Sequence, residues 1–264
     1  MIVGLVSNSH RNATRKVANE VALVMESQGL QVARDWKEGD TVPDLLVVFG
    51  GDGTILGTAR RCGHLGIPLL TINLGRVGFL AELEAHELGQ YLPRIIAGDY
   101  HLEKRMMLKV TVRREDNLIF QSEALNEAAI LRPEVGRMIR LQVLIDRKPL
   151  ARYAADGIIC ATPTGSTAYS LSAGGPVLMP DTQLMVLTPV CPYMPALKPL
   201  VMGGDHNLTI IPESEKAILT VDGQDTVTLV EGDEVEIERS PYHINLVKLK
   251  EQSILEVLGR KLQQ

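Results

Sequence analysis

Residues 44–49 (DLLVVF) run straight into Gly50-Gly51-Asp52-Gly53-Thr54, and that junction narrows the fold more than any other feature of the chain. A continuous apolar run of this length suits a strand buried on both faces of a parallel sheet. The glycines that follow let the chain turn tightly into a helix. They also let backbone N–H groups approach an anion at the positive end of the helix dipole. Asp52 is an unusual member of an anion site, because its charge repels phosphate. It reads as a group that orients and deprotonates an attacking hydroxyl or holds Mg²⁺. The plainer alternative is a tight strand–helix turn with Asp52 as N-cap.

The rest of the first hundred residues repeats this alternation. An apolar run at 2–6 and a polar loop at 7–12 precede Val17, Val21 and Val24 at helical spacing, with Gly29 as a C-terminal stop. Residues 69–72 form another buried run, and 83–97 predict a helix that Pro93 bends or divides. The β-α-β order predicts a three-layer α/β domain over residues 1–98. Past Gly98-Asp99 short alternating strands dominate, from 108–112 to 244–248, and they predict antiparallel sheets packed as a β-sandwich over 99–249. Residues 253–262 return to helical spacing, with Ile254, Val257, Leu258 and Leu262 on one stripe.

Composition removes several function classes. A net charge of −5 over 264 residues leaves no basic surplus for a nucleic-acid backbone. No basic run suggests an anionic membrane surface, and no apolar stretch reaches the roughly 18 residues of a membrane span. The first residues lack the basic and apolar regions of a secretion signal. Cys62, Cys160 and Cys191 are far apart, without CxxC spacing, and predict free thiols in a reducing compartment, the cytoplasm.

A second loop carries chemistry. Asp156-Gly157 precedes Thr162-Pro163-Thr164-Gly165-Ser166-Thr167-Ala168-Tyr169-Ser170, where Pro163 and Gly165 fix the backbone and the hydroxyls of Thr162, Thr164, Ser166 and Thr167 lie close together. Tyr169 offers a face to a purine or nicotinamide ring, and Asp156 an acceptor for ribose hydroxyls or an exocyclic amine. A polar loop between two strands is the structural alternative. There is no GxxxxGK[ST] loop, no protein-kinase catalytic loop, no G-x-S-x-G elbow and no zinc helix. Any phosphate handling falls to the glycine loop and nearby basic residues such as Arg76.

Taken together these motifs resemble the bacterial NAD kinase family. The matching pieces are Gly50–Thr54 (GGDGT), residues 72–80 (INLGRVGFL), Asn126-Glu127, Asp156-Gly157, residues 162–170, residues 172–176 (SAGGP) and Val221-Asp222-Gly223-Gln224. The resemblance implies transfer of the γ-phosphoryl of ATP, or of polyphosphate, to the 2′-hydroxyl of the adenosine ribose of NAD, with Mg²⁺ accompanying the triphosphate. It implies that Asp52 contacts that ribose as the catalytic residue, within a loop formed by Gly51, Gly53 and Thr54. It also implies that Asn126 and Glu127 bind adenine and ribose groups. Thr167, Ala168, Tyr169 and Ser172 would line the adenine pocket, Asp156 the nicotinamide end, and Gly75 and Arg76 the phosphate donor. Asp222 would lie close to the dinucleotide. No side chain is expected to be a dedicated metal ligand. A homodimer or homotetramer is implied, as is a closing helix at about 250–264 that packs back on the first domain. Tyr193 and Lys198 depart from the usual His and Arg, and Pro195 is an additional proline. Two rival readings share some of these features: a lipid kinase of the diacylglycerol or sphingosine type, and a non-catalytic NAD-binding sensor.

Overall fold

In a computed structural model that describes residues 1–7, 12–74, 79–134, 136–194, 196–214, 216–250 and 259, the chain divides into two compact units. One comprises Met1–Arg105 with Tyr242–Gln264, the other Met106–Pro241.

The first unit is α/β. Along the chain come β1 (Ile2–Ser7), α1 (Asn12–Ser27), β2 (Gln31–Ala33), β3 (Leu45–Phe49), α2 (Asp52–Cys62), β4 (Leu69–Asn73), β5 (Leu83–Glu84) and α3 (Leu88–Ala97). The strands are parallel in the order β2-β1-β3-β4, and β5 pairs with the end of β4. Every residue of β3 and β4 is buried, as a sheet covered on both faces requires. Alternate residues Leu45, Val47 and Phe49 join Ala22 and Met25 of α1 and Ile95 of α3 in one core cluster. Helix α2 buries Ile55, Leu56 and Ala59 outside that cluster.

The predicted helix over 83–97 needs correction at its start. Leu83 and Glu84 pair with Ile72 and Asn73, a 3₁₀ turn covers Ala85–Glu87, and the α-helix begins only at Leu88. A capping box explains the delay: the Glu84 N–H donates to the Glu87 carboxylate at 2.8 Å, which fixes the entry of the chain. Pro93 does not divide α3, which continues to Ala97 and stops at Gly98 in the left-handed region with φ +70. The stripe predicted at 253–262 lies outside the described residues.

The second unit is all-β. Its elements are β6 (His101–Arg114, from Met106 onward), β7 (Asn117–Ala124), β8 (Glu127–Leu131), β9 (Ile139–Ile145), β10 (Lys148–Ala155), β11 (Gly157–Ala161), the short helix α4 (Tyr169–Ser172), β12 (Leu184–Val190), β13 (Leu200–Gly203), β14 (Leu208–Pro212), β15 (Lys216–Val221), β16 (Asp225–Val230) and β17 (Glu234–Lys248, to Pro241). One sheet runs β10-β9-β14-β17 with β6 and β7 beyond, the other β13-β12-β11-β8-β15-β16. Leu108, Ile130, Leu141, Ile158, Leu219 and Ile237 share the core between them, so the unit is a β-sandwich. In β8 and β11 the alternate residues Ala129, Ile159 and Ala161 enter a second cluster on the opposite face. The rest of β17 belongs to the first unit, where Leu246 pairs in parallel with Leu69.

Strands β2, β10 and β13 had no sequence counterpart, and each is the end strand of its sheet. An end strand needs little apolar patterning. Lys148-Pro149-Leu150 begins β10 with three exposed residues, and Pro149 sits at a register shift where no ladder bond is required.

Candidate functional site

The glycine loop of the first unit is built around Asp52. Gly51, in extended backbone, is the N-cap of α2, and no side chain caps this helix. Asp52 is the first helical residue, so the reading of it as N-cap is corrected. Its carboxylate makes no capping bond to the helix and accepts the N–H groups of Phe79 at 3.2 Å and Leu80 at 3.4 Å. Both bonds are long, and each oxygen keeps lone-pair capacity for a ligand. Thr54 folds beneath Gly50, where a Cβ would stand 2.5 Å from its hydroxyl oxygen. Gly51 and Gly53 are exposed, and a Cβ on Gly51 would meet nothing within 4 Å. Gly75 and Arg76 lie outside the described residues.

The second unit gathers Asn126, Glu127 and Asp222. Asp222 and Gly223 hold φ +50 and φ +65 in the tight turn joining β15 to β16, a pairing that Asp-Gly suits. That turn delivers the Asp222 carboxylate to the start of β8. One oxygen accepts the N–H of Asn126 at 2.8 Å and of Glu127 at 3.1 Å, and the other that of Leu125 at 3.0 Å. Glu127 is only 9% exposed, and its Oε2 is buried without a hydrogen-bond partner. Burial first, and the negative charge of Asp222 second, push its carboxyl up to about 8. A carboxyl raised this far favours its protonated form, in which it is a donor as well as an acceptor.

The hydroxyl-rich loop is tied to the same place. Thr162 is fully buried; its hydroxyl donates to the Leu125 carbonyl at 2.6 Å and accepts the Gly165 N–H at 3.1 Å. Ser166 donates to the Pro163 carbonyl at 2.6 Å and accepts the Leu178 N–H at 2.9 Å. Thr167 donates to the Thr164 carbonyl at 3.2 Å, and Ser170 and Thr188 share a hydrogen bond of 2.8 Å. The hydroxyls that looked available for a ligand are thus engaged in folding the loop, and Thr164 too is buried. What the loop presents outward is Tyr169, 38% exposed, with half-buried Thr167 and Ala168 and exposed Ser172.

Asp156 lies at the turn into β11, where Arg132 pairs with it at 3.2 Å. Sequence reasoning missed Arg132, and no spacing announces it, because the pair forms across strands β8 and β11. It also missed the Phe79 and Leu80 amides as supports of Asp52. Both residues stand in a quoted motif, yet a backbone donor leaves no mark in the sequence. Tyr193 is 73% exposed, Lys198 is exposed as well, and Pro195 lies outside the described residues.

Among the described residues no group of three or more His, Cys, Asp or Glu side chains is placed to hold a metal. A magnesium ion bound with a triphosphate takes most of its ligands from phosphate and water. The arrangement suits that mode, with Asp52 as a carboxylate that has acceptor capacity to add. Among the described residues no helix is long and apolar enough to cross a membrane.

Two family models match the chain, the ATP-NAD kinase N-terminal domain over residues 37–100 and the ATP-NAD kinase C-terminal domain over residues 125–249. An NAD kinase of Natranaerobius thermophilus is 35% identical, with 98% of this chain and 97% of the relative covered. One of Carboxydothermus hydrogenoformans is 41% identical over 84% of this chain and 80% of its own length. Among solved structures, yeast NADH kinase complexed with NADH aligns with TM-score 0.91 and 27% identity over 100% of this chain and 87% of that one. An NAD kinase from Archaeoglobus fulgidus in complex with ATP aligns with TM-score 0.79 and 28% identity over 100% and 99%.

Proposed function

The chain belongs to the NAD kinase family, and we propose that Asp52 is its catalytic residue while the Asn126–Glu127 and 162–172 segments hold the dinucleotide. The enzyme is a phosphotransferase that uses ATP to phosphorylate NAD. The observation that carries the assignment is the Asp52 carboxylate, fixed by two backbone amides beside an exposed glycine at a helix N-terminus.

A ribose hydroxyl is far less acidic than a carboxylic acid, so full deprotonation before attack is unfavourable. Phosphoryl transfer through a loose transition state does not require it, because the proton leaves late. Asp52 aligns the 2′-oxygen and accepts its proton as the new P–O bond forms. The start of α2, where Gly51 is exposed with open space around it, receives phosphate charge. Magnesium, when bound, neutralises charge on the triphosphate.

In the second unit a neutral Glu127 both donates and accepts toward adenine or ribose. Asp222 keeps its carboxylate on backbone amides and acts by holding Asn126 and Glu127 in place. Tyr169 stacks with the base, with Thr167, Ala168 and Ser172 around it. Asp156, steadied by Arg132, serves the nicotinamide end, and Gly75 and Arg76 serve the phosphate donor. Polyphosphate as an alternative donor, assembly as a homodimer or homotetramer, and a cytoplasmic location are proposed on the family resemblance.

Asp52→Asn keeps the size and loses the basicity. Turnover is expected to fall by roughly 10²–10⁴-fold, the usual scale of general-base help, while calorimetry still detects NAD binding. Turnover within about threefold of the unmodified enzyme would remove Asp52 from the role.

A further inference from the structure

Asp52 is held by amides, and those amides belong to a segment that must itself be held. Thr71 does this. It lies in β4, 2% exposed, inside a run that otherwise looks like apolar filling. Its hydroxyl donates to the Leu80 carbonyl at 2.7 Å and accepts the Glu82 N–H at 2.9 Å; the same N–H also reaches the Thr71 carbonyl at 3.0 Å. One buried hydroxyl therefore fixes both sides of the Leu80–Glu82 stretch. The Leu80 N–H, and the Phe79 N–H before it, are the donors on the Asp52 carboxylate. The far end of the stretch is also tied down, because the Glu82 carboxylate accepts the Leu249 and Lys250 N–H groups at 2.7 and 2.8 Å and pairs with Lys248.

We propose that Thr71 is a positioning residue for phosphoryl transfer, acting through the Phe79 and Leu80 amides to aim the Asp52 carboxylate. This rests on the assignment of Asp52 above. Loss of the hydroxyl leaves the Glu82 N–H its bond to the Thr71 carbonyl, so β4 and its neighbours keep their pairing. It removes the restraint on the Leu80 carbonyl, and the adjoining Phe79–Leu80 peptide, whose N–H is donated to Asp52, gains freedom through the shared Leu80 Cα. Small misplacements of a reacting group are costly, up to about 10²-fold for about 1 Å.

Thr71→Val, which keeps the branched shape, is made alone and with Asp52→Asn, beside Thr71→Ser. Thr71→Cys, a small side chain with only a weak donor and acceptor, provides a second probe should the valine variant not fold. The expected result for Thr71→Val or Thr71→Cys is a kcat lowered roughly 10- to 100-fold, KM for NAD nearly unchanged, and recovery in Thr71→Ser. Combined with Asp52→Asn, the Thr71 change is expected to add nothing further. An unchanged kcat, a loss shared equally between kcat and KM, no recovery with serine, or an undiminished loss in the Asp52→Asn background would overturn the proposal. Asp52→Asn alone reports on the underlying assignment: full turnover there shows that Asp52, and Thr71 with it, has been misassigned.

Discussion

Gly165 packs so closely on Asn126 that a Cβ at Gly165 would stand 2.1 Å from the Asn126 carbonyl oxygen. The hydroxyl-rich loop and the Asn126–Glu127 strand start are thus one unit of backbone, further joined by Thr162 to Leu125.

Gly165→Ala is therefore expected to damage fold and binding together. The obstacle is rigid backbone, so destabilisation of about 1–3 kcal/mol or more is expected in denaturant titrations, with weakened NAD binding by calorimetry. Gly51→Ala is the counterpart, because open space surrounds that position and its backbone is extended. Its stability is expected to change by no more than about 1 kcal/mol, the scale of an N-cap effect, while turnover drops if phosphate approaches the helix there. A Gly51→Ala enzyme of normal activity would exclude close phosphate approach at this residue.

Glu127 makes stability depend on pH in a known direction. Its carboxyl is raised from 4.5 to about 8 by burial and by Asp222. Between these values the folded protein holds a proton that the unfolded chain releases, so stability falls as pH rises through that window and levels off above it. Glu127→Gln removes this contribution. The stability difference between the unmodified protein and the glutamine variant is expected to decline from pH 4.5 to about 8, by on the order of a few kcal/mol. Parallel unfolding curves across that range would show that Glu127 ionises normally.

The three cysteines are all unpaired, yet they differ in reactivity. Burial pushes the Cys62 thiol up to about 11 and the Cys160 thiol to about 12, whereas Cys191 is exposed. At pH 8 the buried pair is essentially all thiol, the unreactive form. Ellman's reagent is expected to titrate one group per chain in the folded protein and three in denaturant. A second fast group would mean that α2 or β11 opens readily.

Much of the architecture could be read from the sequence because burial leaves patterns. Residues 44–49 and 69–72 announce strands covered on both faces, and the switch to short alternating runs announces a sandwich. The end strands β2, β10 and β13 could not be read, since a strand paired on one side tolerates Lys148 and Pro149. Within the site, Asp52, Glu127 and Asp222 stood out as carboxylates beside glycine or in a short motif. The supports did not. Thr71 sits in an apolar run, and its partners Leu80 and Glu82 meet it only after folding. The hydroxyls of Thr162 and Ser166 misled for the opposite reason: a hydroxyl that caps its own loop looks, in sequence, like one that faces a ligand.

The return of β17 to the first unit sets an order for biosynthesis. Leu246 pairs beside Leu69, and Leu249 and Lys250 satisfy Glu82, far from where the glycine loop is encoded. A ribosome releases Asp52 and its loop early, and nascent domains usually fold in the order they emerge. Here the first unit to emerge cannot be the first to finish. Its sheet and the buried Glu82 wait for residues near 250 to leave the exit tunnel, so the Asp52 carboxylate gains its full support only after the whole of the second unit has emerged.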